Sequence, residues 1–365
     1  MVKSGGGINL AQGLPGFRPP EMLLEYLEKF ARSQYHQYAP GLGVQQLREQ
    51  AALACHSAAI TSENIMITNG GTEAISLIYT YLFKKLKAKL HVMAIAPVYE
   101  SYRELPAIFG NDFHLYQSAG TGSFETEDFL NQVKSKNINL VFLASPGNPL
   151  GKVFSRDEIE TICHYCRQNH VYIVIDLVYK YLYYNNKPYI PYHLLSDYIL
   201  FADSWSKQFS ISGWRLGYVV APAVAIHEMS AVHDFTGLSS PMPLQQSLAA
   251  WLGHTCEAES YLDEIRVQVK NNFRKTGSLL QEAGYTCLDA DGGIFLCAAL
   301  PQGFGDGFDF AMSLYEAEKL AVVPGIHFDD RWSSVIRLNI AYPEEIIHES
   351  VQRLLRFTQT YMKQA

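Results

Sequence analysis

Six short apolar runs, NIMIT, LHVMAIA, NLVFLA, VYIVID, YILFA and LGYVVA, punctuate the chain between residues 64 and 221. They are rich in valine and isoleucine, as expected of strands buried on both faces. Between several of them the pattern changes to an apolar position every three or four residues, as in TEAISLIYTYLFKKLK and SRDEIETICHYCRQNH, which predicts amphipathic helices. Strands alternating with helices make an α/β domain. After Pro243 the texture changes. LQQSLAAWLG reads as a helix, and a long charged stretch from about Glu257 to Glu282 reads as a helical connector. Beyond Gly284, the apolar GGIFLCAAL, the strand-like SVIRLNIAY and a C-terminal helix predict a smaller α+β domain.

Composition narrows the class of protein. Of 365 residues, 48% are apolar, enough for a substantial core and against disorder. The net charge of −7 comes without a long run of one sign, so neither a nucleic-acid track nor an anionic membrane surface is expected as a partner. The start, MVKSGGGINLAQG, has no continuous apolar region of a leader, and no segment reaches the roughly 18 apolar residues of a membrane span. A soluble, cytoplasmic protein is the expectation. The six cysteines are too sparse for a disulfide framework. Cys163 and Cys166 form a C-x-x-C, but within a helical period and without a second such pair, so a packed helix face is expected and no metal site.

Four loops carry residues able to act on a ligand. ITNGGTEAI runs from a strand through Gly70 and Gly71 into a helix beginning near Thr72, where free backbone N–H groups suit an anion, although a tight connection also explains the glycines. VIDLVYK ends a buried strand on Asp176, whose desolvated carboxylate needs a cation or a ligand donor. ASPGNPLG offers Asn148 after another strand, in a context that a turn would also explain. SWSKQFSISGWRLGY sets Lys207 and Arg215 among apolar and aromatic neighbours. A desolvated lysine becomes a nucleophile toward carbonyl carbon, and an arginine holds phosphate as a fork of donors, although a lysine in this context taken alone reads as a solvated or snorkelling side chain.

With these motifs in order, joined by QYAPGLGVQQLRE, APVYESY, DLVY and VIRLN, the chain resembles a class I/II pyridoxal-phosphate-dependent aminotransferase of fold type I. The likeness extends from INLAQGLPGF to SVIRLNIAY. It implies a large mixed-sheet α/β domain, residues 33–260, and a smaller α+β domain made of residues 1–32 and 261–365.

The resemblance also implies roles. Lys207 would hold pyridoxal 5'-phosphate as a Schiff base and then serve as the base at the substrate Cα. Asp176 would keep the pyridine nitrogen protonated, and Tyr179 and Asn148 would hydrogen-bond the ring hydroxyl. Tyr99 would stack on the ring. Gly71, Thr72, Ser204 and Arg215 would bind the phosphate, with Tyr38 reaching across from a neighbouring subunit, which implies a homodimer with shared active sites. Arg337 would grip the substrate α-carboxylate, with the backbone of Gly13 and the side chain of Asn148 beside it.

The implied activity is ping-pong exchange of an amino group between an L-amino acid and a 2-oxo acid. VHDFTGLSSPMPLQQ matches the region from which dicarboxylate-specific relatives lend a second arginine, and it holds no arginine or lysine. An aromatic, methionine-like or other neutral substrate is therefore expected, with Leu14 and Phe17 as candidate pocket walls, although an exposed or core position explains either nearly as well. Arg18 reads as a solvated loop residue. The short segment before INLAQG suggests that an N-terminal arm packing on the partner is reduced. A carbon–sulfur β-lyase on the same fold is the alternative, since it would use the same lysine, aspartate and arginines. A cofactor-binding transcription regulator would need a DNA-binding module ahead of Ile8, for which this sequence leaves no room.

Overall fold

The structure, a computed structural model, describes residues 5–34, 36–117 and 124–362. Its strands are β1 (Ile8–Asn9), β2 (Ile65–Thr68), β3 (His91–Ile95), β4 (Asp112–Tyr116), β5 (Leu140–Ala144), β6 (Tyr172–Asp176), β7 (Ile199–Ser204), β8 (Gly217–Val220), β9 (Thr286–Cys287), β10 (Phe295–Ala299), β11 (Leu320–Ala321), β12 (Val323–Pro324) and β13 (Val335–Asn339). Seven of them form one mixed sheet in the order β2-β8-β7-β6-β5-β3-β4. The strands from β4 to β7 run parallel, while β8 lies antiparallel to both β7 and β2.

All six apolar runs become strands of this sheet, and every residue of β2, β6, β7 and β8 is buried. Ile65, Ile67, Ile173 and Ile175 enter the core on one face, whereas Met66, Val92, Val174 and Leu200 enter the core on the other. Each such aliphatic side chain contributes about 1.5–3 kcal/mol by burial. The seventh strand, β4, escaped the sequence pattern because it lies at the sheet edge and is mostly half-buried, so Asp112 and His114 interrupt its apolar run.

The C-x-x-C lies on the helix Arg156–Gln168, with Ile159, Ile162, Cys163 and Cys166 packed into the first core. Burial pushes the Cys163 thiol up to about 12, as expected of an inert packing residue.

A second, antiparallel sheet runs β12-β13-β10-β9. Its core gathers Leu296, Ala298, Ile336 and Leu338 with Leu10, Phe17 and Leu354. The helix Thr255–Glu282 links the two regions: Ala258 and Leu262 belong to the first core, and Ile265, Val269 and Leu280 to this one. No helix among the described residues is long and apolar enough to cross a membrane.

Candidate active site

A cavity of about 630 Å³ opens beyond the C-terminal ends of the parallel strands and reaches the second sheet. Ligands of open α/β sheets bind at such strand ends because loops of adjacent strands diverge there. Lys207, Asp176, Tyr179, Gly71, Thr72, Tyr99, Asn148, Ser204, Arg215, Arg337 and Gly13 all line it. Leu14 lines it as well, whereas Phe17 is buried in the core beneath the second sheet and forms no pocket wall. Tyr38 lies outside the cavity and is 79% exposed. Arg18 is a solvated residue paired with Glu21 at 2.8 Å.

Asp176 is the last residue of β6. Its Oδ2 accepts from the Tyr102 hydroxyl at 2.5 Å, and its Oδ1 from the Val178 N–H at 3.0 Å. Burial raises its pKa to about 6, partly opposed by those two donors. A cation at the cavity side of this carboxylate would relieve the desolvation. Tyr102 was not anticipated, although its i, i+3 spacing from Tyr99 on the helix Glu100–Ile108 and the residue preceding it was visible. Its ring stacks on Phe142 at 4.8 Å and meets Tyr99 edge-on at 5.5 Å.

Lys207 donates to the Gly13 carbonyl at 2.6 Å. Its pKa is lowered to about 8, first by burial and then by Arg215 and Arg337, with Asp176 opposing. Reaction of the cofactor-free protein's Lys207 with an amine-directed aldehyde should therefore rise about tenfold per pH unit below about 8 and level off above it. A rate still climbing at pH 10 in a peptide-mapped time course would mark an ordinary lysine.

The helix Gly71–Leu86 starts against Lys207's neighbours. Gly70 has φ 83°, and a Cβ there would approach Arg215 Nη2 to 2.6 Å. A Cβ on Gly71 would lie 2.9 Å from Val178 and 3.3 Å from the Ser204 side chain. The glycines thus leave room for an anion at a helix N-terminus. Arg215 is held beside it by bonds to the Asn69 carbonyl at 2.9 Å and the Ser212 carbonyl at 3.1 Å. Ser204 Oγ donates to the Leu216 carbonyl at 3.0 Å and lies 2.8 Å from Ser206 Oγ, a further hydroxyl on the cavity wall.

Arg337 is 6% exposed, with its guanidinium carbon 4.0 Å from the Phe295 ring centroid and 4.6 Å from that of Phe328. Nη1 donates to Asn148 Oδ1 at 2.9 Å and Nη2 to the Ala11 carbonyl at 2.6 Å, while the buried Nε has no partner. No carboxylate contacts it among the described residues. Burial accordingly depresses its pKa. The register explains the wall: Val323 and Cys297 flank Arg337 on adjacent strands, and Phe295 lies two residues from Cys297 on the same face.

Behind the cavity lies a polar cluster that sequence reasoning missed. Lys180, next to Tyr179, pairs with Asp203, next to Ser204, at 2.6 Å, with 3% and 0% of the side chains exposed. The Tyr218 hydroxyl also donates to Asp203 at 2.6 Å. The pair ties two cavity loops together, because removing either partner would strand a buried charge. At the sheet edge, His91, Asp112 and His114 bring possible ligand atoms within 4.8 Å of one another, but Lys89 already engages Asp112 at 2.7 Å.

The sequence profile of the family described as aminotransferase class I and II matches residues 6–354. Aspartate aminotransferase of Bacillus subtilis (strain 168) is 24% identical over 370 residues, covering 97% of this chain and 92% of its own. Kynurenine–oxoglutarate transaminase 3 of Bos taurus is 25% identical over 320 residues, covering 80% and 68%. The solved structure of N-succinyldiaminopimelate aminotransferase from Mycobacterium tuberculosis superposes with a TM-score of 0.88 at 23% identity, covering 98% of this chain and 94% of that one.

Proposed function

From the premise that the chain belongs to the class I and II aminotransferases, whose members use pyridoxal phosphate, we propose that Lys207, Asp176 and Arg337 carry its transamination and that its amino acid has a neutral side chain. The observation that carries this reading is the lowered Lys207 amine in one cavity with a buried, carboxylate-free Arg337.

The residues present fit the cofactor. Lys207 would anchor it covalently, and Asp176 would meet the pyridine nitrogen. Tyr179 and Asn148 would address the ring hydroxyl, Tyr99 a ring face, and Gly71, Thr72, Ser204 and Arg215 the phosphate. When bound, pyridoxal phosphate supplies an electron sink for the bond broken at Cα. Arg337 and Asn148 would fix the α-carboxylate, setting the torsion about Cα and aiming its hydrogen at Lys207. The Lys207 amine would take that proton and deliver it two atoms away, to the carbon on the far side of the transferred nitrogen. Tyr102 would hold one oxygen of Asp176 and leave the carboxylate facing the ring nitrogen.

Among the described residues lining the cavity, the cations besides Arg337 are Lys207 and Arg215, both assigned to the cofactor, which favours neutral substrates; Leu14, Val323 and Phe328 provide apolar walls. Exposed Tyr38 supports a homodimer with shared sites. The division into residues 33–260 and 1–32 with 261–365 is retained as the proposed domain arrangement, although Leu23 of the helix Glu21–Ala31 packs in the first core. A cytoplasmic setting accords with six unpaired cysteines.

The test is a titration of the loaded protein with methionine, phenylalanine, kynurenine, glutamate and aspartate, without oxo acid. Replacement of the long-wavelength cofactor band by that of its amine form, with an equal amount of 2-oxo acid, is expected for neutral donors. No such conversion with any donor, or pyruvate and thiol from a cysteine conjugate alone, would overturn transamination in favour of β-lysis or another reaction.

A further inference from the structure

Five charged residues line the cavity: Asp176, Lys207, Arg215, Arg337 and Glu100. The proposed reaction employs the first four. Glu100 is the first residue of the helix Glu100–Ile108, directly after Tyr99, and its carboxylate has no hydrogen bond or ion pair among the described residues. Its position is tied to the substrate end of the cavity, because the Val98 N–H bonds the carbonyl of Phe328 at 3.5 Å and the Phe328 ring covers Arg337. Burial lowers the Arg337 pKa, and Glu100, with Tyr179 and Cys297, opposes that shift electrostatically.

We propose that Glu100 reads the far end of the substrate side chain and selects amino acids whose side chain ends in an N–H donor, such as an amide, aniline or amine, against those ending in a carboxylate. The inference deepens the function proposed above and rests on Arg337 holding the α-carboxylate. Once Arg337 has been used, a side chain leaving Cα meets Leu14, Val323 and Phe328 as apolar walls, Gln12 as a neutral amide and Glu100 as the remaining charge. An apolar stem with a terminal donor satisfies that set. Glu100 is itself exposed, but a second carboxylate would face it with no lining cation left to offset the repulsion, and like charges brought together disfavour binding.

Glutamine and glutamate are nearly isosteric, so they isolate this term. The decisive experiment measures dissociation constants of α-methylglutamine and α-methylglutamate for the loaded protein. These analogues lack the Cα hydrogen, and their binding is read from the change in cofactor absorbance rather than from turnover. The wild type is expected to bind the glutamine analogue about tenfold or more tightly than the glutamate analogue, and Glu100→Gln to bring that ratio down by about tenfold. Failure of the glutamine analogue to bind more tightly, or the same ratio in Glu100→Gln, overturns the role of Glu100. Undiminished binding of both analogues by Arg337→Leu removes the underlying carboxylate assignment instead, whatever the ratio.

Discussion

Lys207→Ala is expected to fold and still bind pyridoxal phosphate through the phosphate and ring contacts, yet to lose amino-acid turnover by a factor on the order of 10⁵ or more, the scale seen when a group acting as both nucleophile and base is removed. The loss should fall on kcat, since Lys207 is the base proposed for the proton at Cα and Tyr179, which also lines the cavity, is neutral, its hydroxyl pushed far up by burial. Single-turnover absorbance with a good donor would measure it. A variant retaining even a hundredth of the wild-type rate would transfer the proton to another group.

The same substitution should alter stability with a defined sign. In the cofactor-free protein, Lys207 is lowered from 10.5 to about 8. Between those values the unfolded chain binds the more protons, so wild-type stability gains from this group as pH rises from about 8, and the full cost of the buried charge is felt below that. Lys207→Ala should lack that gain in denaturant titrations across the window.

Those residues were legible in the sequence because the chemistry sits in short loops at the ends of strongly apolar strands. Asp176 closes VYIVID, Asn148 follows NLVFLA, and Lys207 and Arg215 lie between YILFA and LGYVVA. Run length placed them at strand ends, while their roles came from the resemblance to the aminotransferase family and not from the residues alone. The edge strand β4 was lost because half-exposure allows polar residues where the central strands have none. Phe295 and Phe328 could not be assigned to Arg337, since the three converge only through the register of β10 on β13 and the turn after β12. Lys180 and Asp203 carry no local mark of burial. Twenty-three positions apart, they read as ordinary surface charges until adjacent strands bring them together. The pattern along one strand therefore predicts depth, whereas contacts between strands depend on register, which a single chain's periodicity does not specify.

Arg337→Leu should lower kcat/KM for amino acids by about 10²–10⁴, the equivalent of losing a buried charge-assisted pair worth roughly 3–5 kcal/mol. The geometry explains why the effect should be large. Arg337 is a cation held between two aromatic rings, with two donors committed to Asn148 and Ala11, a third unpartnered, and no carboxylate against it. A site that bears this desolvation in the empty state binds an incoming carboxylate without first breaking an ion pair, so most of the new attraction appears as affinity and alignment. Arg337→Lys keeps the charge but loses the planar fork and the stacking between Phe295 and Phe328, so it should recover only part of the rate. The distinguishing control is an amine lacking the carboxylate. Its slow reaction should change little between wild type and Arg337→Leu, whereas an equal fall for amine and amino acid would mean that the arginine supports the cavity rather than the substrate.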